Sequence, residues 1–184
     1  MDGHHLILGE LLDCVTGETL VDTHDERYRQ SIARLLMNEK GYACAEIRPR
    51  HVLIVSADDR KGRLPVDFLL AVGGYTVMMV KYGPGSLVTR HRSALAMSRL
   101  IEPYQIPVVV VTNGEGADVL NGETGKHVAS GFDRIPSRAT IVRQMDDFAF
   151  SRISDKRSEM ESRIVYAFEI DGSCPCDDTA CRIA

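Results

Sequence analysis

The sequence lacks any apolar run long enough to cross a bilayer; its longest, Ile106 with Val108–Val111, is a fraction of the roughly 20 residues a spanning helix needs. It also lacks a basic opening. Met1-Asp2-Gly3-His4-His5 has no positive n-region, so no secretory signal is expected. There is no internal repeat and no low-complexity linker, which argues against a solenoid. Five cysteines, an odd number, with no expected signal argue against a disulfide framework and for a cytoplasmic location. What remains is 184 residues, 44% hydrophobic and 26% charged, enough to bury one core.

The net charge of -4 argues against a generic polyanion binder, but the average hides an asymmetry. Residues 1–26 contain no Lys or Arg and sum to -7. Residues 60–101 carry seven bases and one acid, Asp67, for +6. Residues 144–184 return to -4. A block of this kind reads either as a solvated basic face or as a polyanion groove holding one carboxylate.

Hydrophobic spacing predicts a helix over residues 25–40, with Tyr28, Ile32, Leu35 and Leu36 on one face, Thr23 or Asp25 as cap and Gly41 as stop. Three strands are expected at about 47–56, 65–72 and 75–82, the last two joined through Gly73-Gly74. A helix follows over 87–101, capped by Ser86 and ended before Pro103. Residues 106–112 read as a buried strand, and 118–127 as a turn or small hairpin. Helices are expected near 137–148 and 154–168. This order implies a mixed sheet with helices on both faces. The chain divides into an N-terminal extension (1–24), a core (25–136), C-terminal helices (137–170) and a Cys-rich tail (171–184).

Asp67 in Val66-Asp67-Phe68 and Lys81 in Met79-Val80-Lys81 fall on paired strands, where their side chains can converge. Phosphodiester hydrolysis needs a carboxylate on Mg²⁺, a second oxygen ligand and a nearby cation or base. Asp67 and Lys81 supply the first and last. Arg90, Arg92 and Arg99, with Lys61 and Arg63, are candidate phosphate contacts; Arg92 and Arg99 are seven apart and share a helical face. Glycines in Gly83-Pro84-Gly85 either admit a ligand to the backbone or serve a tight strand-to-helix turn. Tyr75, Tyr82 and Tyr104 either stack on bases or pack against the sheet.

Residues 26 to about 112 resemble the N-terminal nuclease domain of type I restriction enzyme R subunits, a branch of the PD-(D/E)XK superfamily. The resemblance rests on Arg29-Gln30, Leu35-Leu36, Gly41-Tyr42, Val66 to Leu70, Met79-Val80-Lys81, Pro84-Gly85, Ile106-Pro107 and Thr112-Asn113-Gly114, in that order. It implies an α/β (α+β) restriction-endonuclease-like core with extra C-terminal helices. Asp67 and Lys81 take the family's catalytic positions. The family's glutamate falls on Met79, which cannot serve a hard cation. Glu26 on the first helix, ahead of Asp25, is the candidate substitute, so Glu26 and Asp67 would hold Mg²⁺ beside Lys81. The expected activity is a Mg²⁺-dependent endodeoxyribonuclease on DNA with a degenerate metal site. The alternatives are an inactive nucleic-acid- or protein-binding module, or a metal-binding regulatory protein acting through its tail. R subunits of this type carry a motor after the domain, so a protein partner is a second expectation.

Cys174, Cys176 and Cys181 form a C-x-C-x4-C cluster, with Cys14 as a fourth ligand for Zn²⁺ or an iron–sulfur centre. This resembles iron–sulfur nucleases of the same superfamily, with different spacing. The other reading is a tail of free thiols.

Overall fold

The structure, a computed structural model, describes residues 7–172 and 181–183. A small antiparallel hairpin opens it, β1 (Gly9–Leu12) with β2 (Thr19–Asp22). The sequence expectation had no strands in this extension. The hairpin is anchored by Asp13, which is buried and ion-paired to Arg50.

Helix α1 (His24–Arg34) starts where the Thr23 hydroxyl accepts a hydrogen bond from the Glu26 N–H, with Asp25 and Glu26 at its positive end. A π-helical turn, Leu35–Glu39, continues it to Gly41, whose φ of +77° ends it. Then come β3 (Ile47–Ala57), β4 (Arg60–Val72) and β5 (Tyr75–Tyr82). Gly73 and Gly74 join the last two at φ +60° and +84°, the positive pair a tight hairpin turn demands.

The next helix is shorter than its pattern suggests. A 3₁₀ turn (Val88–Arg90) precedes α2 (His91–Ser98), and no side chain caps either start. Strand β6 (Val108–Thr112) is buried at every position. Of the turn or small hairpin expected next, the hairpin is what forms, β7 (Ala117–Asn121) with β8 (His127–Ser130). Helix α3 (Arg138–Gln144) is capped by Ser137, and α4 (Asp155–Val165) by Ser154. A π-helical turn (Tyr166–Ile170) extends α4, and β9 (Cys181–Ile183) pairs with the start of β4.

The main sheet runs β3-β4-β5-β6-β7-β8, with β9 beside β4. Only β5 and β6 are parallel; α2 makes the crossover between them. Alternation then divides the core in two. Met78, Val80 and Val110 meet Ile32, Ala33 and Leu36 near α1, together with Ile141 of α3. Met79, Val109 and Val111 meet Ala94, Leu95 and Met97 of α2, with Val165 after them on α4. The expected mixed sheet with helices on both faces is what forms. No helix among the described residues is long and apolar enough to cross a membrane.

Candidate functional site

Asp67 sits where β4 changes character. Even-numbered Leu64 and Val66 join the α2–α4 core, yet even-numbered Phe68 and Leu70 join the α1 core. Strand β3 switches faces too, between Ile47 and Leu53. The β3–β4 ladder pairs Pro49 with Phe68 and His51 with Val66; between them Arg50 takes φ +50°, a left-handed conformation uncommon outside glycine. Pairing of β4 with β5 begins at Phe68. Asp67 therefore occupies the point where two paired strands bend and β4 parts from β5.

Its side chain is 2% exposed. Oδ1 accepts from Arg29 Nε at 2.7 Å, and Oδ2 accepts from the Tyr82 N–H at 2.8 Å. Lys81 Nζ stands 3.4 Å from Oδ2 and donates to the Pro65 carbonyl at 3.3 Å. Burial pushes the Asp67 carboxyl up, but Lys81 and then Arg29 outweigh it and hold it below the usual carboxylate range. Arg29 is pulled the other way: burial lowers it, and Asp67 and Glu26 raise it above its ordinary value.

Helix α1 supplies the other half. Asp25, Glu26 and Arg29 lie on one face by the three-and-four spacing. Glu26 is buried; its Oε1 accepts from Gln30 Nε2 at 2.9 Å, and its Oε2 lies 3.7 Å from Arg29 Nη1. Gln30 Oε1 accepts in turn from the Cys14 N–H at 2.8 Å. The Tyr82 hydroxyl donates to Asp25 at 2.9 Å, and burial with that carboxylate pushes its pKa above the ordinary range. Arg29 lies over the Tyr82 ring, 5.1 Å from its centroid, and Tyr28 stacks on the same ring at 5.9 Å. Tyr28 in turn covers Gly114: a Cβ there would fall 2.3 Å from the ring.

The structure thus brings Asp67 and Lys81 together and places Glu26 near them, but Arg29 lies between the two acids. A divalent ion needs free oxygen lone pairs at about 2.0–2.6 Å. Both Asp67 oxygens face nitrogen donors. Met79 is 0% exposed among apolar side chains of the α2 core. Among the described residues no group of three or more His, Cys, Asp or Glu is arranged to hold a metal ion. The residues as arranged do not fit Mg²⁺.

Much of the basic block is engaged by partners within the chain, although Arg60, Lys61 and Arg63 remain exposed. Arg92 Nη1 and Arg99 Nη1 lie 2.6 and 2.8 Å from the carboxylate of Glu161, which is fully buried on α4. Arg90 lies against Gly83, its guanidinium where a Cβ would fall, and donates to the Pro84 carbonyl. Arg63 Nε donates to Cys181 Sγ at 3.2 Å, and Lys61 is exposed on β4 opposite Ile183 of β9. Tyr75 and Tyr104 pack with Phe150, with the Tyr104 hydroxyl accepting from the Thr76 N–H.

Cys14 and Cys181 are free thiols, one against Gln30 of α1 and the other against Arg63 of β4. Cys174 and Cys176 lie outside the described residues, as do His4 and His5. The described residues give no support to a zinc or iron–sulfur centre.

Besides the Glu161 ion pairs, two clusters have little or no signal in the sequence. One is the Arg29 bridge; its only sequence signal is the Arg29-Gln30 pair one turn after two acids. The other joins three elements. Asp118 of β7 contacts His91 Nε2 at 2.8 Å and His127 Nε2 at 3.4 Å, and accepts from the Ser130 hydroxyl at 2.6 Å. Nothing in the spacing of those four residues announces it.

The mixed sheet with helices on both faces is an α+β fold consistent with a restriction-endonuclease-like domain. Residues 24–136 match the family described as type I restriction enzyme R protein N terminus. That is well over half of the chain, which belongs to this family. Comparison with curated proteins and with solved structures found no significant match.

Proposed function

We propose that this chain is a DNA-associated domain of nuclease fold that binds and does not cleave, its degenerate metal site replaced by an internal network of ion pairs. Family membership supports a nuclease-like, DNA-related role. One observation carries the loss of cleavage. Asp67, the carboxylate that would hold Mg²⁺, has Arg29 on one oxygen and Lys81 with the Tyr82 N–H on the other. Two cations already neutralise it, so a third would meet repulsion where a bare carboxylate would attract. The second acid of the motif is Met79, deep in an apolar core. Lys81, which in a working nuclease would stabilise charge beside the attacking water, is instead spent on Asp67 and the Pro65 carbonyl.

The experiment is a plasmid-cleavage assay with Mg²⁺ and with Mn²⁺, alongside DNA binding at low salt. Binding that weakens with salt, and no nicking by wild type, are the expected results. Nicking that Asp67→Ala abolishes would overturn it and establish an active endonuclease. Absence of DNA binding at low salt would leave a protein-binding module instead.

A further inference from the structure

Glu161 is the side chain on which the α2–α4 contact turns. It is fully buried, and three arginines converge on it: Arg92 Nη1 at 2.6 Å and Arg99 Nη1 at 2.8 Å from α2 and its end, and Arg157 Nε at 2.6 Å from one turn earlier on α4. Burial pushes its carboxyl up, and the guanidiniums of Arg92 and Arg157 beside it outweigh that and hold it below its ordinary value. One negative charge thus faces three positive ones.

The three arginines are not equivalent. Arg99 is 8% exposed and closed in: it also donates to the Gly122 and Glu123 carbonyls, and it meets Glu123 through backbone, not carboxylate. Arg92 and Arg157 are 42% and 46% exposed. Each gives part of its guanidinium to Glu161 and turns the rest to solvent. A carboxylate has about four acceptor positions, and three guanidiniums carry about fifteen N–H donors. Pairing inside the cluster is imperfect: Arg92 Nη1, Arg99 Nε and Glu161 Oε2 are all buried without a well-directed hydrogen bond, although Arg92 Nη1 lies 2.6 Å from Glu161 Oε2.

The acids of α4 offer no relief. Asp155 and Glu159 are two residues either side of Arg157, which places them about 160–200° around the helix from it. No ion pair joins either of them to Arg92 or Arg157.

We propose that Arg92 and Arg157 form a binding site for a phosphate-type anion, seated on their solvent side above Glu161. The site fits the chemistry of a phosphate oxygen pair. Two guanidiniums held against the same carboxylate, Arg157 by a hydrogen bond and Arg92 by a close ion pair, leave part of their planar donor sets exposed. A dianion or a phosphodiester there offsets the two surplus charges. Glu161 is then a positioning residue that holds both forks and touches no ligand. None of these residues belongs to the Asp67 cluster, so the site stands apart from the reading above.

The test titrates the full-length protein with inorganic phosphate by calorimetry, and with single-stranded and duplex oligonucleotides by anisotropy at low salt. Arg157→Gln and Arg92→Gln are expected to weaken whichever probe binds by about tenfold, and to lower the salt slope for DNA by about one. Arg157→Lys keeps the charge, and with it the helix contact, but loses the fork, so it should show a smaller loss. Arg143→Gln on α3 is the control and should change nothing. Phosphate binding without DNA binding supports the site and assigns it to a free anion. DNA binding with the same arginine dependence assigns it to the phosphodiester backbone. Failure of all probes to bind wild type overturns the proposal. So does binding that Arg157→Gln leaves unchanged, or that Arg143→Gln weakens equally. DNA binding independent of Arg92 and Arg157 would sink this site while leaving the proposed function standing.

Discussion

Arg29 Nε donates to Asp67 Oδ1 at 2.7 Å across 38 residues of sequence, and Nη1 of the same guanidinium lies 3.7 Å from Glu26 Oε2. The two acids that a nuclease reading assigns to one Mg²⁺ are thereby bridged by a fixed monocation that belongs to the chain.

Removing that bridge should be costly. Arg29→Met leaves Asp67 buried with Lys81 and one N–H. The expected loss is about 3 kcal/mol, the low end for breaking a buried pair, because Arg29 keeps partial exposure. Urea denaturation of the variant against wild type measures it. A loss within the noise of a surface substitution would contradict a structural role for the bridge.

The same pairing sets a pH dependence. The folded-state pKa of Asp67 is depressed, so its contribution to stability is present above the unfolded value, roughly 3.9, and is lost as pH falls through the lower folded value. Asp67→Asn keeps the volume and removes the titration. Stability measured from neutral pH into the acid limb should therefore fall less steeply for the variant than for wild type.

Met79 should resist conversion into a metal ligand. Met79→Leu is expected to cost less than about 1.5 kcal/mol, because volume and polarity are kept. Met79→Glu buries an unpaired carboxyl and should cost on the order of 3 kcal/mol without restoring cleavage. Thermal melts and a nicking assay on both variants check this. Mn²⁺-dependent nicking by Met79→Glu would mean that the side chain reaches the Asp67 cluster after all.

Glu161→Gln leaves three guanidiniums converging without a counter-charge. The loss expected is about 3–5 kcal/mol, as for other buried pairs stripped of one partner. Loosening of α4 should accompany it, read as faster amide exchange in residues 155–165. Unchanged exchange there would show that apolar packing by Val165 and Tyr166 holds α4 alone.

Much of the fold was legible because local signals agreed with it. Gly73-Gly74 marked the β4–β5 turn, Thr23 and Gly41 bounded the first helix, and the apolar run before Thr112 marked β6. The β1–β2 hairpin escaped because its strands are four residues each and set among acids. The helix after Gly85 is shorter than its apolar period suggests because residues Val88–Arg90 form a 3₁₀ turn ahead of α2, which itself ends at Ser98.

The site was legible only in part, for a different reason. Asp67 and Lys81 are neighbours through strand pairing, which sequence pattern can suggest. Arg29 with Asp67, and Arg92 with Glu161, are neighbours through helix packing over 38 and 69 positions, and no local period encodes that. The +6 block illustrates the difference. It looked like a face offered to a polyanion, yet Lys81 and Arg99 are used inside, and Arg92 only keeps one edge free.

The most direct measurement is Mn²⁺ binding to the wild-type chain, followed by electron paramagnetic resonance of the free ion during a titration. No stoichiometric site is expected, with Asp67→Ala indistinguishable from wild type. One tightly bound Mn²⁺ per chain, lost in Asp67→Ala, would contradict it, because the guanidinium of Arg29 would then have yielded its place to the metal.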